Sequence, residues 1–464
     1  MAEPTNQKST FKAGIYLLEN LTSGMYTDPF AILREYVQNG VDSIDLTTDK
    51  GPIDQLEIKI ELDPVERRIF IRDNGQGIPA AFAEEVLSSI GSSNKIAPNL
   101  RGFRGIGRLG GIAFSDRAVF KTKAQGENVE SVQEWDCKSL RKLLAENKNW
   151  SLTFDQVFQK IASFSQNKCQ RSLESFFEVT LYGISSFRNY IFDISRAKRY
   201  LSQVAPVPFH SDGFAFGHEV DSYLAHNLKH YRKYNIVLNG ERIFKPYKDK
   251  VKITKGGFDK ITGIQFIDLC DERGKLTAYG WYGEREELLG SIIRGDDSSG
   301  IRVRVGNIMI GDDHLLDSCF REPRFNSYAV GEVHIESDGL IPNSRRDDFI
   351  DNETKNIFYN AVEKKIGLPI SKEIRLKSKI KSESRAPIVS SQKKDGNGTN
   401  TEISSPIVVP IEPKKIEPSE NKTDNRPEIV FKEILRTCHD CPRLTKIIGE
   451  VCNPKNISSK AITR

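Results

Sequence analysis

The sequence predicts a mixed fold of α-helices and β-strands, an α/β class of the α+β sandwich type. A first strand is predicted where every second residue is apolar, at Leu56, Ile58, Ile60 and Leu62. A polar turn leads to a second predicted strand over residues 68–72. Helical spacing of apolar residues occurs over about residues 29–46, 194–204 and 352–366. Because helices and strands are interspersed, helices are expected to cover a sheet.

Two further strand signals lie in the second half of the chain. Asn239-Gly240 is typical of a tight β-hairpin turn, and Ile301, Val303 and Val305 alternate with polar residues. We place a domain boundary near residue 195, which gives predicted domains over residues 1–195 and 196–366.

The length and composition limit the class of protein. The chain has 464 residues, of which 68 are Lys or Arg, 63 are Asp or Glu and 38% are apolar. This length suggests two to three domains, and the apolar content is sufficient for a packed core. No apolar run approaches the roughly 18 residues of a membrane helix, and the polar N-terminus does not resemble a secretory signal. Seven scattered cysteines argue against a disulfide scaffold, so we expect a cytoplasmic protein.

The positive charge is concentrated at the C-terminal end. Residues 370–464 contain 19 Lys or Arg and 12 Asp or Glu, a net charge of +7 that leaves −2 for the first 369 residues. No aromatic residue occurs from Ser371 to Glu428, so we predict a disordered linker over residues 367–430. The basic side chains either solvate this linker or attract an anionic partner such as DNA.

A short helical element is predicted over residues 431–464. After Pro442, apolar residues follow with helical spacing, at Leu444, Ile447, Ile448 and Val451. The element also contains Cys438, Cys441 and Cys452. A zinc site is one interpretation of these cysteines, and an amphipathic helix whose thiols bind no metal is the other.

One predicted helix carries polar side chains opposite its apolar face. Over residues 32–45, Glu35, Asn39 and Asp42 follow one another at i, i+4 and i+7 and therefore share one face. A solvent-exposed face would show the same pattern. The segments that follow this helix favour a functional role instead.

Two glycine-rich segments follow. Asp73-Asn74-Gly75-Gln76-Gly77-Ile78 comes directly after the second strand, where a carboxylate can accept from the exocyclic amine of adenine and glycines allow close approach. Residues 101–111, Arg-Gly-Phe-Arg-Gly-Ile-Gly-Arg-Leu-Gly-Gly, supply backbone N–H groups next to a predicted helix start, and such groups bind phosphate. The segment is not a P-loop, because G-x-x-x-x-G-K-[ST] is absent.

In this order the three segments resemble the motifs of the GHKL superfamily, which includes gyrase, HtpG-type heat-shock chaperones, histidine kinases and MutL. The superfamily pattern is E-x-x-x-N-x-x-D on a helix, then D-x-G-x-G, then G-x-x-G-x-G, and all three are present here. The resemblance implies a Bergerat-type ATP-binding domain over residues 1–195 and a ribosomal-protein-S5-like transducer domain over residues 196–366. It also implies that the chain binds Mg²⁺ and ATP and hydrolyses ATP to ADP and phosphate.

The resemblance assigns roles to individual residues. Glu35 corresponds to the general base that polarises the attacking water, and Asn39 corresponds to the ligand of Mg²⁺. Asp73 corresponds to the carboxylate that selects adenine, and Asp42 supports the site. The other implied nucleotide-binding residues are Gly75, Gly77 and Ile78 near the base, the lid cation Lys95, and the lid residues Gly102, Phe103, Arg104, Gly105, Ile106 and Gly107. For Lys95, a solvent-facing position is the alternative.

The sequence departs from the superfamily pattern at one adenine contact. Gly-Thr usually stands just before the strand at residues 178–181, but Phe176 and Phe177 occupy those positions here. Thr180 is a weak substitute, so the third adenine contact is not assigned.

A loop in the second predicted domain is similar to a loop of HtpG-type chaperones. Residues 340–347, Leu-Ile-Pro-Asn-Ser-Arg-Arg-Asp, match L-P-L-N-V-S-R-E with Asn343, Arg346 and Asp347 in register. The resemblance implies that an arginine here reaches the γ-phosphate; Arg346 is the first candidate and Arg345 the second, since a guanidinium binds phosphate oxygens in pairs. The alternative is a surface loop whose arginines pair with nearby carboxylates, those of Asp347, Asp348 or Asp351.

Together these features predict an ATP-gated switch that works as a homodimeric clamp, in which residues 1–28 are candidates for an exchanged segment. The basic C-terminal segment, the Gly102-Phe103-Arg104-Gly105 string shared with MutL and a layout resembling MORC-type ATPases favour DNA as the target, in a restriction or phage-defence context. The similarity to HtpG-type chaperones favours protein clients. However, the 34 residues after the predicted linker offer no counterpart of the C-terminal domain of that family. An ATP-gated scaffold for partner proteins is the third hypothesis.

Overall fold

The computed structural model describes residues 28–47, 56–90, 107–146, 152–170, 173–185, 188–271 and 273–384. All of them lie within Met1–Ile388, one of two units into which the chain divides. The other unit, Val389–Arg464, lies outside the described residues, and so do the predicted C-terminal helix and its three cysteines.

The described α-helices are α1 (Ala31–Asp45), α2 (Ala80–Ser88), α3 (Gly110–Phe114), α4 (Cys137–Ala145), α5 (Phe154–Ile161), α6 (Arg188–Ile191), α7 (Ile194–Val204), α8 (Gly217–Asn227), α9 (Glu353–Val362) and α10 (Leu368–Glu383). A π-helical turn over residues 363–367 joins α9 to α10. The helices predicted over 29–46 and 194–204 are confirmed as α1 and α7, and the one over 352–366 as α9 with this turn. Among the described helices, none combines the length and the apolar character needed to cross a membrane.

The described strands are β1 (Glu57–Asp63), β2 (Arg68–Asp73), β3 (Arg117–Lys123), β4 (Val129–Asp136), β5 (Ala162–Lys168), β6 (Phe176–Tyr182), β7 (Asn235–Leu238), β8 (Glu241–Arg242), β9 (Lys250–Lys252), β10 (Phe258–Cys270), β11 (Leu276–Arg285), β12 (Gly300–Val305), β13 (Ile308–Ile310) and β14 (Val330–Ile335). They form two sheets, which confirms the mixed α and β class.

The first sheet has the strand order β5-β4-β3-β6-β2-β1-β7-β8. The two strands predicted first, β1 and β2, are antiparallel neighbours, with Ile60 opposite Ile71. β1 also pairs with β7, and this pairing is parallel. Because β7 and β8 come from residues 235–242, the first sheet extends past residue 195. The domain boundary near residue 195 therefore stays a prediction.

The hairpin predicted at Asn239-Gly240 is confirmed between β7 and β8. Both turn residues have positive φ angles, +47° and +85°, as a type I′ turn requires. The Asn239 side chain accepts from the Leu62 N–H at 2.9 Å and donates to the Leu62 carbonyl at 3.0 Å. This turn residue thus fixes the end of β1 to the β7–β8 hairpin.

Helix α1 is buried on both of its faces. Leu33, Val37 and Ile44 belong to the core cluster that also contains Ile58 of β1 and Val179 of β6. Each aliphatic side chain buried in this way contributes about 1.5–3 kcal/mol. The polar face is not solvent-exposed either, since Glu35 is 8% exposed and Asp42 is 0% exposed.

The second sheet has the order β13-β12-β14-β11-β10-β9. The strand predicted from Ile301, Val303 and Val305 is confirmed as β12, which runs parallel to β14. On one face of the sheet, Val303 and Val333 pack into a core that includes α9 and α10. On the other face lies a second core of aromatic residues and α8 side chains, including Phe209, Phe214, Tyr247, Trp281 and Leu224.

A cluster of charges is buried on that second face of the sheet. Glu332 of β14 accepts hydrogen bonds from Lys245 Nζ at 2.8 Å, Arg304 Nε at 2.5 Å and Tyr247 Oη at 2.9 Å. His334 Nε2 lies 3.0 Å from the second Glu332 oxygen. Burial alone raises the pKa of Glu332, but Arg304 and Lys245 outweigh it and hold that pKa well below its ordinary value. The carboxylate thus stays ionised and satisfies several buried donors at once.

Residues 368–383, which were predicted to belong to a disordered linker over 367–430, form α10. Pro369 stands in the first turn, where a missing N–H is tolerated. Ile370 and Ile374, four residues apart, pack into the core of the second sheet. Lys377 of α10 donates to the carbonyl of Arg285, the last residue of β11, and to that of the next residue, Glu286, at 2.9 Å each. Aliphatic side chains at helical spacing therefore anchor a segment that has no aromatic residue.

We expect the free energy of unfolding to rise between about pH 4 and pH 6.5 because of His334. Burial lowers the pKa of His334 from 6.5 to about 4, against the opposite effect of Glu332. Between about pH 4 and pH 6.5 the unfolded chain binds a proton at His334 that the folded chain does not bind. The contribution of His334 to the free energy of unfolding is therefore complete above pH 6.5 and is lost as the pH falls towards 4. Its full size is about 3 kcal/mol. Denaturant unfolding at a series of pH values measures it.

The variant His334→Gln keeps a hydrogen-bond donor for Glu332 but does not titrate, so its stability should depend less steeply on pH in this range. The exposed His218 offers a matched control, since His218→Gln should keep the wild-type slope. An unchanged slope in His334→Gln would contradict the assignment.

Candidate active site

Helix α1 places the Glu35 carboxylate between two guanidinium groups. Glu35 Oε1 lies 3.3 Å from Arg346 Nε and 3.6 Å from Arg34 Nε. The side chains of all three residues are only about a tenth exposed. A carboxylate with so little access to water needs this compensation, and the two cations supply it.

Arg346 reaches Glu35 from a tight loop beside the second sheet. The Arg346 N–H donates to the Asn343 carbonyl at 3.2 Å, and the Arg346 carbonyl accepts from Gly311 N at 2.8 Å. The φ angle of Arg346 is +57°, a left-handed conformation that costs energy for any residue other than glycine. The loop bonds hold Arg346 in this conformation, so the backbone is strained at the residue that contacts Glu35.

Arg345 takes a different direction from its neighbour. Its Nε lies 3.4 Å from Asp347 Oδ2, and both side chains are more than half exposed. Its backbone carbonyl accepts from Arg34 Nη2 at 3.0 Å. The structure thus brings Arg346 to Glu35 and leaves the Arg345 side chain on the surface. The sequence reasoning did not single out Arg34, whose only signal is that it directly precedes Glu35 on a buried helix.

The other loop carboxylates are paired with a lysine of α9. Lys355 Nζ lies 2.7 Å from Asp348 and 2.6 Å from Asp351. Burial acts to raise the pKa of Asp348, but hydrogen bonds from Lys355, the Phe349 N–H and Tyr359 lower it below its ordinary value. These acids therefore anchor the loop to α9, while Asp347 pairs with Arg345.

Asp73 lies at the end of β2, beneath α1. Its side chain is 3% exposed, and Oδ1 accepts from Gly75 N at 3.0 Å. A methyl group at Gly40 of α1 would come within 3.3 Å of the Asp73 Cβ, so the small residue lets the helix approach the strand closely. The strand end and the helix together fix the position of the Asp73 carboxylate, the group that the sequence predicted to select adenine.

Two glycines permit the turn after Asp73. Gly77 has a φ of +68°, and any side chain there would collide with the Lys123 carbonyl. A side chain at Gly75 would likewise collide with Ser43 of α1. Close backbone approach on both sides therefore explains the D-x-G-x-G spacing in physical terms.

Thr122 of β3 is a residue that the sequence reasoning missed. Its Oγ1 accepts from the Ile78 N–H at 2.8 Å and donates to the Phe176 carbonyl at 3.1 Å. Phe177 pairs with Asp73 on one side and with Thr122 on the other, so the three side chains stand in one row on the same sheet face. Nothing in sequence spacing indicates Thr122, because this row depends on the register of three strands.

Thr180, considered as a substitute for the usual adenine-contacting threonine, lies elsewhere. It pairs with Phe70, three residues along β2 from Asp73. Because strand residues alternate between faces, Thr180 points to the face opposite Phe177 and Asp73. It is therefore not in the row that contains Asp73, and Phe177 occupies the position beside this carboxylate.

Gly107, the predicted lid residue that the structure describes, lies next to Glu35. A Cβ at Gly107 would be 2.5 Å from Glu35 Oε2, so any side chain there would require the Glu35 carboxylate to shift. Gly107 starts a 3₁₀ turn, residues 107–109, that leads into α3. The other predicted lid positions lie outside the described residues: Lys95, Gly102, Phe103, Arg104, Gly105 and Ile106.

The remaining predicted residues on α1 differ in exposure. Asn39 is partly exposed, whereas Asp42 is fully buried. Asn39 can therefore offer an amide oxygen to a metal ion, a ligand type that Mg²⁺ accepts. Asp42 is suited to a supporting role within the protein.

Comparisons with known proteins find similarity over the first part of the chain. Residues 26–167 match the family described as "Histidine kinase-, DNA gyrase B-, and HSP90-like ATPase". Proteins named "Chaperone protein HtpG" are similar over this part of the chain: 26% identity over 152 residues in Albidiferax ferrireducens, 29% over 147 in Bacillus velezensis and 28% over 158 in Psychrobacter cryohalolentis. These matches cover 28–29% of this chain and 23–24% of the relatives. The chain thus spans about a quarter of the length of the curated relatives it matches.

We expect Thr122→Val to weaken ATP binding and to lower the free energy of unfolding by about 1–3 kcal/mol. Valine keeps the shape but leaves the Ile78 N–H and the Phe176 carbonyl without the hydroxyl between them. The turn after Asp73 then loses its anchor to β3. Isothermal titration with ATP and denaturant unfolding measure the two effects.

Thr122→Ser, which keeps the hydroxyl, should retain most of the affinity for ATP. Thr180→Val should leave that affinity unchanged, because Thr180 faces away from Asp73. Wild-type affinity in Thr122→Val would show that the hydroxyl does not position the site.

Proposed function

The chain belongs to the GHKL superfamily of ATPases through residues 26–167, and we propose that it is an ATP-hydrolysing conformational switch. The contact between Glu35 and Arg346 carries this proposal. Glu35 belongs to the helix that covers the first sheet, and Arg346 to a loop beside the second sheet. A ligand that changes this contact changes how the two sheets are held together, which is how a switch transmits ligand binding.

The reaction follows from the chemistry of these side chains. Water attacks the γ-phosphorus of ATP, the bond from that phosphorus to the β–γ bridging oxygen breaks, and ADP and phosphate are released. Glu35 takes the proton of the attacking water, and the guanidinium of Arg346 compensates charge on the γ-phosphoryl oxygens. Since Arg346 contacts Glu35 in this structure, its move to the phosphate would release the carboxylate for its role as a base.

Mg²⁺ fits the polar face of α1. Asn39 would supply an amide oxygen, and Asp42 would support this face from within the protein. Among the described residues, no three His, Cys, Asp or Glu side chains are grouped so as to hold a metal ion by themselves. The ion would depend on phosphate and water oxygens, as Mg²⁺ commonly does, and would neutralise charge on the phosphates.

We expect Glu35→Ala to bind ATP but to hydrolyse it at least about 100-fold more slowly, because it removes the general base. ATP affinity by titration and phosphate release under saturating ATP measure the two properties. Continued turnover near the wild-type rate would remove Glu35 from its proposed role.

The neighbouring arginines supply a matched pair for the same assay. Arg346→Ala should lower the maximal rate strongly, whereas Arg345→Ala should change it little, because its side chain lies on the surface with Asp347. The reverse result would exchange their roles.

For the target of the switch we propose DNA, held by a homodimeric clamp of the kind that the superfamily resemblance implies. The net charge of +7 over residues 370–464 supports this proposal. The second candidate is remodelling of protein clients, and the similarity of the ATPase part to relatives named as HtpG chaperones favours it.

We expect the full chain to bind duplex DNA in a manner that weakens steeply with salt. The logarithm of the affinity should fall linearly with the logarithm of salt concentration, and the slope should be shallower after removal of residues 385–464. That truncation keeps α10 and so leaves the second sheet covered. Fluorescence anisotropy of labelled duplex DNA, with and without a non-hydrolysable ATP analogue, measures the affinity at each salt concentration. Absence of binding by the full chain at low salt would exclude DNA and leave the protein-client hypothesis.

A further inference from the structure

A short segment, residues 231–234, directly precedes β7 in the chain, and its side chains alternate between two partners. Arg232 and Tyr234 contact Asp45, the last residue of α1. Tyr231 and Lys233 contact Asp221 of α8. We call residues 231–234 the strap, because alternate residues connect the helix that carries Glu35 to a helix that packs on the second sheet.

The contact at α1 opposes the preference of the helix itself. A carboxylate in the last turn lies next to the negative end of the helix dipole, which is unfavourable. Asp45 is nevertheless held there, with Tyr234 Oη at 2.5 Å and Arg232 Nη1 at 3.2 Å. Tyr234 is 2% exposed, whereas the side chain of Arg232 is half exposed. The buried tyrosine is therefore the stronger of the two links, since solvent screens the arginine.

The contact at α8 has the same form. Tyr231 Oη donates to Asp221 Oδ1 at 2.6 Å, and Lys233 Nζ lies 2.6 Å from Oδ2. Burial and the Asp221 carboxylate raise the pKa of Tyr231 well above its ordinary value, so the phenol stays protonated and continues to donate. Each end of the strap thus pairs one tyrosine and one cation with one helix carboxylate.

The backbone of the strap is fixed from the side of the second sheet. The Arg232 carbonyl accepts from Asn307 Nδ2 at 2.9 Å. Asn307 is buried in the turn between β12 and β13 and also contacts Lys245 of the buried charge cluster, at 3.3 Å. After Tyr234 the chain continues directly into β7 of the first sheet. The strap therefore has little freedom to move independently of either sheet.

We propose that the strap consists of positioning residues that transmit movement of α1 to α8, an inference that rests on the proposed ATPase switch. Glu35 and Asp45 are ten residues apart on one continuous helix, a distance of about 15 Å. A helix moves as a rigid element, so a shift of α1 when nucleotide binds displaces Asp45. Tyr234 and Arg232 follow Asp45, and the strap passes the displacement through Asp221 to α8.

The experiment compares wild type with Tyr234→Phe, Asp45→Asn and a control, Tyr223→Phe. Tyr223 also lies on α8 and donates to an aspartate at 2.8 Å, but that aspartate, Asp268, belongs to β10 of the second sheet and not to α1. Three quantities are measured on the full chain: the dissociation constant of ATP, the maximal rate with the KM for ATP, and hydrogen exchange of residues 217–227 with and without a non-hydrolysable ATP analogue.

In wild type and Tyr223→Phe, the analogue should alter hydrogen exchange in α8. In Tyr234→Phe and Asp45→Asn this response should disappear, and the maximal rate should fall about tenfold while ATP affinity stays within about twofold. A purely structural role for the strap would not separate the response of α8 from ATP affinity in this way.

A full α8 response and a wild-type rate in Tyr234→Phe would overturn the role of the strap and leave the ATPase proposal intact. Absence of ATP turnover by the wild-type chain would overturn the proposed function and the inference with it. If Tyr234→Phe does not fold, Asp45→Asn carries the test, since Asp45 is the α1 end of both links. A wild-type response and rate in Asp45→Asn would then overturn the inference.

Discussion

The position of Glu35 between Arg34 and Arg346 is the interaction on which the arrangement of the two sheets depends. Arg34 belongs to the same helix as Glu35, whereas the Arg345 carbonyl that it contacts is 311 residues away in the chain. Charges with so little exposure are costly when unpaired, so α1 and the loop around Arg346 can separate only if water or another ligand compensates both charges. Phosphate oxygens are such a substitute for the carboxylate. In the proposed switch, this same electrostatic requirement would make the contact between Glu35 and Arg346 responsive to a nucleotide.

Helix α1 is a core element of the first sheet, and in the proposed function it also carries the catalytic base and the link to the strap. Its apolar face packs on the first sheet, and this packing fixes the distance of the helix from the sheet. Its two ends are tied by polar contacts, Arg34 to the Arg345 carbonyl and Asp45 to Tyr234. Because apolar packing is non-directional and hydrogen bonds are directional, the sheet determines where α1 lies and the polar ends determine its orientation. The strained backbone of Arg346 is tolerated within this frame of contacts.

Local patterns predicted the elements that local physics determines. The alternation in β1, the spacing along α1, the Asn239-Gly240 turn and the helix α7 all follow from residues close together in sequence, and the structure has them. Features that depend on long-range register could not be predicted: the row of Asp73, Phe177 and Thr122 requires the pairing of β2, β6 and β3. Arg34 was missed because its role depends on a distant loop. Helix α10 occurs where composition alone predicts disorder, because Ile370 and Ile374 have helical spacing and pack on the second sheet.

The parallel pairing of β1 with β7 has a consequence for the order of folding. Glu57 in β1 and Asn235 in β7 are 178 residues apart, so during synthesis the second edge of β1 stays uncovered until much of the chain has emerged. Parallel pairing over such a separation is slow, and an open strand edge invites association with other chains. Once β7 arrives, it brings the adjoining residues 231–234 with it, because they directly precede it. The first sheet can therefore be completed only after residues 235–242 have emerged, and these carry the strap that directly precedes them.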